Sequence, residues 1–174
     1  MSKLGGIQTD MDTNQDIAFQ ILADGPIAMY HTVGILDKDL QWFRTNNYSV
    51  YDLDTKNWSG GQAHADIKKS LDFPDYYGEN MAAFNDCLGD MISPDHKGVV
   101  LVFRHFDNFL KADKKFGLDL LDIIAEQSRQ WLLNRQRLIG IVQSDDPWLT
   151  IEKIGGTSPI WNRQEWLNKD RVKE

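Results

Sequence analysis

Pro74-Asp-Tyr-Tyr-Gly-Glu-Asn-Met-Ala-Ala-Phe-Asn-Asp-Cys-Leu88 reads as a turn that opens an amphipathic helix. Pro74 disfavours helical backbone at Phe73, so the helix before it ends there. Gly78 permits a tight or left-handed turn, and Asn80 is a favourable N-cap. Phe84, Cys87, Leu88 and Met91 then recur at i, i+3, i+4 and i+7, the buried stripe of a helix. At about 100° per residue, Asp86 falls on the opposite side, near Ala82, Asn85, Gly89 and Asp90. The apolar stripe is explained by a core. Two adjacent tyrosines and an outward acidic face are not.

Working outward, apolar runs alternate with helical periodicity. Residues 26–31, 48–54, 99–103 and 138–142 read as strands, the third apolar throughout, as a strand buried on both faces requires. Leu36, Leu40 and Phe43 place a helix before Asn46-Asn47; residues 62–71 and 118–131 predict two more, and 105–110 a short one. Residues 17–23 fit either a helix or a strand. Helices separating successive strands predict a small parallel sheet with helices on both faces, a three-layer α/β fold. After Gly155-Gly156 and Pro159, residues 161–167 predict a short helix that docks the tail through its tryptophans.

With 41% hydrophobic residues and six tryptophans in 174 residues, the chain can bury a core. Its 26 acidic against 19 basic side chains give a formal charge of −7, the wrong sign for a phosphate-backbone binder and the right one for a basic partner. Cys87 is the only cysteine and sits on the apolar stripe, so it reads as a buried structural thiol, with no disulfide or cysteine-based zinc site. The first residues lack the apolar core of a signal peptide, and no run approaches the ~20 apolar residues of a membrane span; a cytoplasmic protein is expected.

Catalytic patterns are missing. His31, His64, His96 and His105 fall in no metal-ligand spacing, no serine sits in a Gly-x-Ser-x-Gly elbow, and no phosphate-binding loop follows a strand. The expectation is a non-enzyme without a cofactor. A carboxylate pair such as Asp86 with Glu126 is the one arrangement suited to acid–base work.

The turn and helix closely resemble the signature of the barstar family, the intracellular inhibitors of secreted ribonucleases. The resemblance rests on Pro74, Tyr76-Tyr77-Gly78-Glu79-Asn80, Ala83 and Asp86-Cys87-Leu88, with a weaker continuation through Val99 to Asp107 and Asp119 to Arg129. It implies a barstar-like domain over 47–144, an N-terminal extension over 1–46 that adds a βα unit and packs on the core, and a C-terminal tail over 145–174. It also implies a partner: a basic extracellular ribonuclease or toxin nuclease domain.

By resemblance, Asp86 is the central carboxylate that enters the ribonuclease's phosphate-binding centre, where catalytic cations already await an anion. Glu126 is an acidic contact on the long helix, and Tyr76 lies against the catalytic groups while Tyr77 packs inward. Gly78, Asn80, Asn85, Gly89 and Asp90 complete the implied partner-binding set. The chain departs from the family pattern at Ala82 and Gln130, where acidic contacts are expected, and at Asn85 and Met91, where tryptophans are. Specificity resides in such peripheral contacts, so these departures point to a ribonuclease-type partner other than barnase. A non-inhibitory interaction module on the same fold, or a hydrolase using Asp86 and Glu126, are the alternative functions.

Overall fold

The computed structural model describes residues 15–172. The ambiguous run after Asp16 is a helix, α1 (Ile17–Asp24): the Asp16 carboxylate accepts the Phe19 N–H at 2.9 Å, and Gly25 ends it at φ +148°. The chain continues through β1 (Ile27–Tyr30), α2 (Val33–Thr45), β2 (Tyr48–Asp54), α3 (Gly60–Ser70) and α4 (Met81–Gly89). It then forms β3 (Gly98–Arg104), α5 (Phe106–Ala112), α6 (Lys114–Leu133), β4 (Arg137–Gln143), β5 (Ile160–Trp161) and α7 (Asn168–Arg171).

All strand pairs are parallel, and the order is β2-β3-β4-β1-β5. Alternate strand residues face opposite layers. Val99, Leu101, Phe103 and Leu138 pack with Ile67, Phe84, Leu88, Phe109, Leu120 and Ile124 under α3 to α6. Ala28, Tyr30, Val100, Val102, Ile139 and Ile141 pack with Ala18, Leu36, Leu40 and Phe43 under α1 and α2. The expected three-layer α/β architecture is present. Because the crossover through α2 carries the chain from β1 to the far edge at β2, the N-terminal unit lies inside the sheet, with β1 hydrogen-bonded to β4.

Two local expectations are corrected. Residues 161–167 do not form a helix: Ile160 and Trp161 make a fifth strand in register with Ala28 and Met29, and the tail's helix is α7. Pairing with β1 overrides local helical spacing, and the Arg171 guanidinium lies 4.3 Å from the Trp161 ring centroid. In the signature turn, the left-handed residue is Glu79 at φ +51°, not Gly78. Gly78 is needed for closeness instead, since a Cβ there would lie 3.1 Å from the Asn80 side-chain nitrogen.

The Asn80 cap is as expected: its Oδ1 accepts the Ala83 N–H at 2.8 Å. Asn80→Ala should lower unfolding free energy by about 1 kcal/mol in denaturant titrations, since an orphan N–H at the start of α4 loses its acceptor.

Candidate functional site

The turn presents its two tyrosines differently. Tyr77 is 4% exposed, its ring centroid 5.2 Å from that of Phe73, and its hydroxyl lies 2.6 Å from His64 Nδ1 on α3. Tyr76 is 78% exposed. Burying one ring fixes the direction of the other. The left-handed Glu79 then turns the chain into α4, where Asn80 donates back to the Gly78 carbonyl at 3.1 Å.

Asp86 on α4 and Asp90 at its C-cap are exposed, as are Gly78, Asn80 and Ala82. Both carboxylates stand at the C-terminal end of the helix, whose last turn carries no basic residue. The partial negative charge there disfavours anions by about 0.3–1 kcal/mol each. Folding alone does not ask for acid at these positions.

Asn85 and Gly89 are half-buried and turn toward α6. Gln127 Nε2 donates to Asn85 Oδ1 at 2.9 Å and to the Asn85 carbonyl at 3.3 Å, while a Cβ at Gly89 would lie 3.4 Å from Gln127 Oε1. Gln127 thus ties α4 to α6 and fixes Asp86 relative to Glu126. Nothing in the local pattern marks Gln127 beyond its place beside Glu126.

Glu126 is exposed, and Arg129 Nη2 donates to its Oε2 at 2.8 Å. That bond, with a weaker one from Gln130, holds the carboxyl below the usual range. An ionised group of this kind suits electrostatic contact and not the general-acid half of a hydrolase pair. Asp86, by contrast, has no side-chain partner among the described residues.

His64 is the other residue that sequence reading missed. Burial pushes its imidazole below its ordinary value, against the pull of Glu79. A histidine with a depressed folded-state pKa contributes stability in full above the unfolded value of about 6.5, and that contribution is lost as pH falls through the folded value. Unfolding free energy should therefore decline on acidification below about pH 6.5, and His64→Gln should remove that part of the decline. Denaturant titrations between pH 5 and 7.5 measure it.

The remaining histidines do not gather a metal set. His31 Nδ1 lies 2.8 Å from the Ser144 carbonyl, and His105 Nδ1 lies 2.7 Å from Asp145 Oδ2, both beside Gln143 at the carboxyl ends of the strands. Among the described residues no three potential ligands cluster for a metal ion, and no helix is long and apolar enough to cross a membrane.

Comparison with known proteins bears on this face. A sequence model described as barstar (barnase inhibitor) matches residues 49–143, which hold the turn, α4 and α6. The chain is also 36% identical, over 67 residues, to a protein of Bacillus subtilis (strain 168) named "Putative ribonuclease inhibitor YrdF"; that alignment covers 38% of this chain and 70% of the relative.

Proposed function

Because the chain belongs to the barstar family, we propose that it is a cytoplasmic inhibitor that binds and blocks the active site of a basic ribonuclease or ribonuclease-type toxin, acting by contact and not by catalysis. The observation that carries this reading is Asp86: an exposed carboxylate, without a side-chain partner among the described residues, held against the dipole of a rigid helix. An anion so placed is costly to the free protein and complementary to a phosphate-binding centre.

In this reading residues 47–144 form the inhibitory domain, with 15–46 and 145–172 built onto it; the rest of the expected extension and tail lies outside the described residues. Asp86 replaces the phosphate, Tyr76 covers the catalytic groups beside it, and Asp90 adds charge where Ala82 and Gln130 supply none. Gly78 and Asn80 set the approach of the turn, and Asn85 and Gly89 contribute through the α4–α6 seam. Glu126 exchanges its bond with Arg129 for a cation on the ribonuclease, so it contributes less than Asp86.

The test is co-expression with candidate basic ribonucleases, above all one encoded beside this chain, scored by rescue of growth, co-purification and stoichiometric loss of ribonuclease activity in vitro. No protection and no complex with any of them would sink the reading. With a cognate ribonuclease in hand, the formal charge of −7 predicts association that slows steeply as salt rises, because charge steering is screened over about 10 Å at 0.1 M. Stopped-flow association rates measure this, and a flat salt response would assign the interface to apolar contact.

A further inference from the structure

A hollow of about 630 Å³ lies on the sheet face covered by α1 and α2, where those helices leave the β1–β5 margin open. All of its lining residues fall within 15–42 or 160–164, outside the family-matched region and away from the α4–α6 face. Its walls are largely apolar, with Ile21 from α1, Trp42 from α2, and Ala28 and Ile160 from the strands. A cavity of this size, apolar with a few convergent polar groups, is typical of small-molecule sites.

Asp39 is the decisive polar group. It is 5% exposed, faces inward from α2, and accepts the Tyr30 hydroxyl at 2.7 Å. Its nearest donors are already committed, the Gln164 side chain to Asp39 itself. Tyr30 has a single hydroxyl proton, and it goes to Asp39; Asn162 Nδ2 donates to the Met29 carbonyl at 3.1 Å and to Glu165 at 2.7 Å. A carboxylate offers about four acceptor positions, so what the interior still presents is acceptor capacity. The buried carboxylate of Glu165 adds to the negative field. On the cationic side, Arg163 is paired with Asp24 at 3.0 Å and Lys38 stands at the mouth.

We propose that this hollow is a binding site for a small organic amine, an ammonium group on an apolar or aromatic body, with Asp39 as its counter-ion. An anion would face two buried carboxylates, Asp39 and Glu165, and a purely apolar ligand leaves Asp39 desolvated with only the exposed Lys38 as a nearby counter-charge. Burial pushes the Asp39 carboxyl above its usual range against the bonds from Tyr30 and Gln164, which is the condition an incoming ammonium relieves. The site is independent of ribonuclease inhibition, since it shares no residue with the face assigned above.

The experiment is calorimetric titration of the full chain with three probes that share one ring system: tryptamine, which is cationic; indole, which is neutral; and indole-3-acetate, which is anionic. Tryptamine should bind saturably at one site, at least about tenfold tighter than either of the others. Asp39→Asn keeps the size and an acceptor for Tyr30, and should weaken tryptamine by at least about tenfold while leaving indole unchanged. Lys38→Gln, an exposed substitution that spares the core, should instead tighten tryptamine. Neither variant should alter ribonuclease inhibition. Equal affinity for the three probes, no saturable tryptamine binding at millimolar concentration, or wild-type affinity in folded Asp39→Asn would overturn the proposal. If Asp39→Asn does not fold, the probe series and Lys38→Gln decide it.

Discussion

Asp86→Ala should abolish tight binding to the cognate ribonuclease without lowering the stability of the free protein. Truncation leaves the partner's buried cations without a counter-charge, a loss of about 2–5 kcal/mol, or between about thirtyfold and several thousandfold in Kd. That magnitude is taken from charge pairs at protein interfaces, the barnase–barstar pair among them. On the free protein the direction is reversed. Removing an anion from the C-terminal turn of α4 relieves its interaction with the helix dipole, so stability should hold or rise by a few tenths of a kcal/mol. Phe84→Ala is the opposite control. That ring is fully buried between α4 and the sheet, so its loss should cost about 3–5 kcal/mol in unfolding. Binding kinetics and denaturant titration of the two variants separate the roles, and unchanged ribonuclease affinity in Asp86→Ala would end the phosphate-mimic mechanism.

The sequence was most legible where the structure follows local rules. The run Val99–Phe103 had to be a strand buried on both faces, and the spacing of Phe84, Cys87 and Leu88 had to be a core-facing stripe; these residues are buried as the pattern requires. The same periodicity put Asp86 outside. Long-range partners hid the rest. Nothing near Ile160 announces a strand, because its partner Ala28 is far away in sequence. The left-handed turn at Glu79 runs against glycine's usual claim on such positions, and a forced backbone of this kind costs of order 1 kcal/mol. Arg129 converts Glu126 from a free carboxylate into an ion-paired one, a change that only the folded helix face displays. Asp39 sits among charged residues along α2, and only the fold sets the Tyr30 hydroxyl against it.

Glu165 carries the second large effect, because it joins the two ends of the chain. Its carboxylate is 0% exposed and accepts the His31 N–H at 2.9 Å, the Thr32 N–H at 2.7 Å and the Asn162 amide at 2.7 Å. Thr32 is the N-cap of α2 yet makes no side-chain cap bond, so a tail residue supplies the anion that the helix N-terminus favours. Arg171 locks the same segment by donating to the Glu165 and Pro147 carbonyls. Glu165→Ala therefore strands two backbone donors at the start of α2 and frees the residues after β5. At about 1–3 kcal/mol for each stranded donor, the expected loss is about 2–6 kcal/mol of unfolding free energy, or roughly 10 °C in Tm for a chain of this length. Glu165→Gln, which keeps one acceptor, should fall between. The effect should depend on pH with a definite sign. Burial raises the Glu165 carboxyl, but the bonds from Thr32, His31 and Asn162 outweigh it and hold the group below the usual range. The part of its contribution that belongs to the ionised form is therefore complete above an unfolded value of about 4.3 and lost as pH falls through the folded one, so the gap between wild type and Glu165→Ala should narrow in acid. Denaturant titrations at pH 7 and at pH 3 test both parts. A variant within about 0.5 kcal/mol of wild type at pH 7 would mean that the tail is held by Trp161 and Arg171 alone, and that α2 does not need its distant cap.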